Sequence, residues 1–127
     1  MKEDKIRVIL VESGKKAKIA EIENTLENKQ KIVGGNIEVV YPFNENVCIV
    51  CDEEGKFDGS LPNRALLDES IKIADIIFGT FIICGVEDEY FVSLTEEQIH
   101  KYQKMFYYPE IFSIDKSGNV FSRRIID

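Results

Sequence analysis

The chain is short of histidine, cysteine and basic charge, and each shortage closes off a class of function. One histidine, His100, stands among 127 residues. A His-rich zinc site is therefore excluded. Beside Glu96 and Glu97 on a helical stretch, His100 reads as a solvated side chain and not as the base of a Ser-His-Asp triad. Cysteines number three, Cys48, Cys51 and Cys84, an odd count that argues against a disulfide framework. Cys48-Ile49-Val50-Cys51 has C-x-x-C spacing but lies in a strand-like run. There positions i and i+3 face opposite sides, the wrong geometry for a redox pair or a chelate. The three thiols are expected to be packed and reduced. Lys and Arg total 16 against 23 Asp and Glu, a net charge of −7. Such a chain lacks the basic excess that displaces counterions from phosphates, so non-specific nucleic-acid binding is disfavoured. No apolar run approaches the ~20 residues that span a bilayer, and Met1–Lys5 leads straight into a strand-like run, which predicts no secretory signal. Neither G-x-x-x-x-G-K-[ST], G-x-G-x-x-G, H-E-x-x-H nor G-x-S-x-G is present. No enzymatic activity, cofactor or metal is expected. Ser13-Gly14-Lys15-Lys16 is Gly/Lys-rich after a strand, but it lacks the flanking glycine and following helix of a phosphate loop and reads as a hairpin turn.

What is present is the patterning of one domain. At 14.6 kDa with 44% apolar and 31% charged residues, the chain can bury a core without a staple. Ile6–Glu12 is apolar on both faces, as a central strand is, and 17–22 reads as its hairpin partner. Asn24 with Glu27 forms a capping box for a helix to about Val33, with Leu26, Ile32 and Val33 inward and Lys29, Gln30 and Lys31 in water. Gly34-Gly35 supplies the left-handed stop. Residues 36–41 and 47–51 form a second antiparallel hairpin, and 52–56 an exposed turn. A short helix is predicted over 65–70, and one buried strand over 76–85 with a bulge or close backbone approach at Gly79. Tyr90–Leu94 returns as a strand. Thr95 and Gln98 form a capping box, with Leu94 and Ile99 as hydrophobic staple, for a helix that buries Ile99, Tyr102, Met105 and Phe106. Residues 111–114 and 120–125 flank the turn 115–119 and make a C-terminal hairpin. The expected class is α+β: a single compact domain with a mainly antiparallel sheet, two main helices and a C-terminal β-hairpin. The core domain spans 1–108, and 109–127 is a hairpin extension packed on it.

Few residues stand out as chemical candidates. In Leu61-Pro62-Asn63-Arg64, Asn63 offers an amide edge and Arg64 a planar fork for phosphate or carboxylate. The competing reading has Asn63 capping the short helix and Arg64 paired with Asp68. Gly34 and Gly35 can admit a ligand to the backbone, or simply end the helix. Phe43, Phe57 and Tyr90 lie near loops and can stack on a base or pack on the core. Asp52, Glu53 and Glu54, or Glu87, Asp88 and Glu89, can supply ligands for a metal-dependent hydrolase, though acids in turns are ordinarily solvated.

Six blocks, Val8–Gly14, Ile32–Val40 (IVGGNIEVV), Val50–Lys56, Leu61–Leu66 (LPNRAL), Gly79–Gly85 (GTFIICG) and Phe91–Gln98 (FVSLTEEQ), occur in the same order in a family of small proteins of unknown function. The chain resembles this family, found in bacterial genomes and especially on phages and plasmids, over about residues 5–106. The stretch 67–77 is longer than usual there. The resemblance implies cargo of a mobile element acting in the host cytoplasm, a setting in which small proteins often block host defence. It points to a non-enzymatic protein that sequesters a small phosphate-bearing nucleotide, such as an ADP-ribose derivative or cyclic nucleotide. Arg64, Asn63, Gly34 and Gly35 would hold phosphate and polar edges, Phe43, Phe57 or Tyr90 would stack, and the hairpin would build a homodimer or higher oligomer. The alternatives are an acidic, DNA-mimicking or anti-restriction protein-interaction inhibitor and the small metal-dependent hydrolase.

Overall fold

A computed structural model describes residues 3–126. The elements, in chain order, are β1 (Lys5–Val11), β2 (Lys18–Glu23), α1 (Leu26–Val33), β3 (Ile37–Val40), β4 (Val47–Asp52), β5 (Pro62–Leu67), β6 (Ile73–Phe78), β7 (Phe81–Glu87), β8 (Tyr90–Val92), α2 (Glu96–Met105), β9 (Glu110–Ile114) and β10 (Val120–Arg124). The main sheet runs β2-β1-β7-β4-β3, with β8 also paired to β7, and its pairings are antiparallel. The pairs β5–β6 and β9–β10 form separate two-stranded sheets. The fold is a compact α+β domain with two helices and a C-terminal hairpin. No helix among the described residues is long and apolar enough to cross a membrane.

Successive strand side chains alternate faces, and both faces of the central strands are apolar. On one face Ile9, Val11, Val47, Ile49, Phe81 and Ile83 meet Ile99, Tyr102 and Phe106 around α2. On the other, Ile6, Val8, Cys48, Val50, Ile82 and Cys84 meet Val33 of α1. The helices therefore cover opposite faces. That is why β4 is buried from end to end and β7 over its first five residues. The three cysteines are buried free thiols, and burial pushes the Cys51 thiol up to about 12. Thr95 accepts from the Gln98 N–H, the Gln98 side chain accepts from the Thr95 N–H, and Leu94 and Ile99 share one core cluster. The predicted box and staple are both in place.

Several local expectations are overturned. The predicted helix over 65–70 is the end of β5 and a turn. The Asp68 carboxylate accepts from the Ser70 and Lys72 N–H groups, and the Asp68 N–H donates to the Lys72 carbonyl. Ala65 then pairs with Ile76. The strand expected over 76–85 is two strands, broken at Gly79, whose φ is 79°. The cap of α1 is Thr25, which accepts from the Asn28 N–H. Asn24 is occupied elsewhere: its amide donates to the Glu3 and Phe91 carbonyls and its oxygen accepts from Lys29 Nζ at 2.7 Å. Lys29, assigned to the wet face, is consequently buried, with Nζ 4.6 Å from the Phe91 ring centre. Leu26 and Met105, assigned to the core, are exposed. Asp52, placed in an exposed turn, is the buried end of β4.

Candidate functional site

Arg64 sits in the interior, with no exposed surface. Its Nε donates to the Phe106 carbonyl at 3.1 Å, Nη1 to the Asn63 carbonyl and Oδ1 at 3.2 and 2.8 Å, and Nη2 to the Lys15 carbonyl at 2.6 Å. Phe106 is the C-cap of α2, so the guanidinium satisfies a helix-end carbonyl that lacks an intrahelical partner. Burial lowers the Arg64 pKa, and Glu110 nearby opposes that shift. Asn63 Nδ2 donates to the Val11 and Gly79 carbonyls at 3.0 and 2.8 Å, and Ser13 Oγ donates to the Pro62 carbonyl. Leu61–Arg64 thus forms a polar knot joining β5 to the turn after β1, to the β6–β7 turn and to α2. Neither a helix cap at Asn63 nor an Arg64–Asp68 pair is formed.

The remaining sequence candidates are dispersed. Gly34 is the left-handed cap of α1, with φ 89°. Gly35 touches Asp52: a Cβ there would stand 2.7 Å from Asp52 Oδ1. A hydrogen bond with Asp58 and burial raise the Asp52 pKa, while the same bond and the Ser60 donors lower that of Asp58. Phe43 lies on the α2 side, its ring centre 4.5 Å from that of Tyr102. Phe57 is 84% exposed on the loop after β4, and Tyr90 begins β8. Arg64 and Asn63 meet each other, but Gly34-Gly35, Phe57 and Tyr90 do not join them or Phe43 around a shared opening. Among the described residues no three His, Cys, Asp or Glu side chains group as metal ligands.

The fold does form one large cleft, of about 1390 Å³, between the β5–β6 and β9–β10 hairpins. Its apolar lining comes from Pro42, Phe43, Leu66, Phe78, Met105 and Phe106, with Phe121 on the opposite hairpin. Polar groups converge on it from both walls: Lys56, Lys72 and Asp75 from one side, Glu110, Ser122 and Arg124 from the other. Lys56 Nζ is paired with Asp75 at 2.6 Å. Glu110 accepts from the Ala65 N–H at 3.2 Å and from the Ser122 hydroxyl, which ties the hairpins together at the base of the cleft. No ion pair among the described residues neutralises Lys72 or Arg124. An apolar hollow with a few convergent polar groups is the usual form of a ligand site. Of the sequence candidates only Phe43 lines it. The rest of its wall comes from segments far apart in the chain, so no local motif announces it.

A family model described as Domain of unknown function (DUF3846) matches residues 6–107, and the chain belongs to that family. The β9–β10 hairpin lies beyond the match. No curated protein and no solved structure matches the chain.

Proposed function

We propose that this DUF3846 chain is a non-enzymatic binding protein and that the cleft between its two hairpins holds a small phosphate-bearing nucleotide. The observation that supports this is the pairing of an apolar, aromatic-lined hollow with two cations, Lys72 and Arg124, which come from opposite walls and make no ion pair among the described residues. A base has a flat apolar face suited to Phe43, Phe78 or Phe121, and a phosphate takes charge-assisted bonds from lysine and arginine. In this reading Arg64 and Asn63 act one step back, setting the position of β5, and do not touch the ligand. Capture without turnover requires no general base. Sequestration of a host signalling nucleotide, such as an ADP-ribose derivative or a cyclic nucleotide, on behalf of a phage or plasmid, is the role that fits both the cleft and the family resemblance.

Isothermal titration of the purified chain with ADP-ribose, cyclic AMP and inorganic phosphate tests the reading. Binding of a nucleotide is expected, and Lys72→Glu with Arg124→Glu should weaken it by roughly tenfold or more per contact, since a charge-assisted hydrogen bond is worth about 1.5–3 kcal/mol. Absence of heat with every nucleotide, or affinity indifferent to both substitutions, overturns it. The acidic protein-interaction reading draws on one observation, the −7 net charge. It predicts instead that the chain competes with DNA for a DNA-binding enzyme and that the competition fades with salt.

A further inference from the structure

Two turns of the molecule are built to one plan. In Asp68–Lys72, between β5 and β6, the Asp68 carboxylate accepts from the Ser70 and Lys72 N–H groups at 2.8 and 3.0 Å. The Asp68 N–H donates to the Lys72 carbonyl, and the Ile71 N–H to the Asp68 carbonyl. In Asp115–Asn119, between β9 and β10, the Asp115 carboxylate accepts from the Ser117 and Asn119 N–H groups at 2.8 and 2.9 Å. The Asp115 N–H donates to the Asn119 carbonyl, and the Gly118 N–H to the Asp115 carbonyl. Both are three-residue hairpin loops whose last residue takes the left-handed region. The second turn fills that position with Gly118, at φ 87°, and the first with Ile71, at φ 61°. A β-branched side chain is strained there. Ile71 is also 78% exposed, so the fold gains little from it in return. Residues held in such conformations cluster at ligand clamps and switch regions.

The surroundings of Ile71 say which of these it serves. Both turn tips lie on the cleft, Ile71 and Lys72 on one wall and Gly118 and Asn119 on the other. Leu67 and Ile73, paired across β5 and β6, line the same wall as Ile71. We propose that Ile71 is the apolar cover of the cleft: its side chain closes over the base of a bound nucleotide, while Lys72, the next residue, meets the phosphate. This rests on the cleft holding a nucleotide, as proposed above. In the free protein the Ile71 side chain stands in water, and its burial is realised only in the complex. The bonds to the Asp68 carboxylate fix the turn beforehand, so little ordering is left to be done on binding. Glycine at 71 would form the turn with less strain, as Gly118 does in its own turn, but would bring no apolar surface to the ligand.

Isothermal titration of the full chain with ADP-ribose and cyclic AMP, alongside thermal melting, tests the cover. Ile71→Asn keeps a residue that tolerates the left-handed region and removes the apolar surface. It should melt at or above the wild-type midpoint and bind about ten- to a hundredfold more weakly, the contribution of one buried aliphatic side chain. Ile71→Leu restores the apolar surface and should bind within about threefold of the wild type. Should Ile71→Asn fail to fold, Ile71→Gly relieves the same strain and is expected to give the same pair of results. Asn and Gly variants that bind as tightly as the wild type overturn the cover and leave the cleft reading standing. An affinity that falls together with a lowered midpoint assigns Ile71 to the fold and also overturns it. A wild type that binds neither nucleotide overturns the cleft reading itself, and the cover with it.

Discussion

The central sheet and the two satellite hairpins are all antiparallel, yet different forces hold them. In the sheet, Phe81, Ile82, Ile83 and Cys84 of β7 are fully buried in succession, because α1 and α2 press on opposite faces. Each such side chain contributes roughly 1.5–3 kcal/mol through burial alone, and no single polar contact decides where the strand runs. The β5–β6 hairpin buries less: Ala65 and Ile77 are its buried apolar residues. Its position rests instead on Asn63, Arg64 and the Glu110 carboxylate, which bond to backbone groups of elements distant in sequence. A sheet built on burial tolerates local polar changes. A hairpin hung on a polar knot does not, and that hairpin forms one wall of the cleft.

The sharpest way to break this contrast is at Arg64. Arg64→Ala leaves the Phe106 and Lys15 carbonyls and the Asn63 side-chain oxygen without a donor in a buried space. Buried groups left unpaired cost about 1–3 kcal/mol each, so a loss of about 3–5 kcal/mol is expected in urea unfolding. Arg64→Lys should recover only part of it, since an ammonium cannot reach carbonyls on three sides as a planar fork does. A change below about 1 kcal/mol, the size expected of a surface pair, would refute the knot.

A smaller effect tests the clamp between the β3–β4 loop and α2. Glu45 accepts from Tyr102, Lys101 and Gln98, and these bonds, led by Tyr102, lower its pKa from 4.5 to about 2. A carboxyl depressed in the folded state stabilises the fold above its unfolded value and loses that contribution as pH falls. The window is therefore pH 4.5 down to about 2. Glu45→Gln should lower stability by about 1–2 kcal/mol near neutral pH, and the variant's unfolding curves should change less than the wild type's as pH drops through that window. Equal acid sensitivity in the two proteins would show that Glu45 does not govern it.

The smallest expected change has the opposite sign. Ile71, in the β5–β6 turn, has φ 61° and is 78% exposed. A β-branched residue in the left-handed region costs roughly 1–2 kcal/mol, and so exposed a side chain returns little by burial. Ile71→Gly should raise the thermal midpoint, by about 1 kcal/mol of stability or less once glycine's extra unfolded-state entropy is subtracted. A lowered midpoint would mean that Ile71 makes contacts the turn depends on.

Much of the central sheet was legible in the sequence because its signals are local. Alternation over β1, the Asp115–Asn119 turn and the Thr95/Gln98 box each act within a few residues, and each formed as read. Lys29 was misplaced because its partners, Asn24 and Phe91, are brought to it by β2 and β8. Ala65–Ser70 was misread because a helix-compatible hexapeptide pairs as a strand once Ala65 can face Ile76 and the Asp68 carboxylate closes the turn. For the candidate site the gap is wider. Leu61–Arg64 stands out in the sequence by its residue types, but a buried arginine and a phosphate-binding one look alike in a string of letters.

What the sequence determined by itself was the set of strands and helices with two-residue or capped periodicity, the α+β class, and the absence of a disulfide framework. These follow from side-chain alternation and backbone capping, whose reach is at most one turn or one hairpin. The tertiary structure decided which face of each element met which neighbour. It turned Arg64 inward onto three carbonyl-bearing segments, and it opened a cleft between walls some fifty residues apart in the chain. Those outcomes depend on where distant carbonyls and apolar faces come to rest, and a residue's type states its capacity for a bond without stating which partner the fold will bring to it.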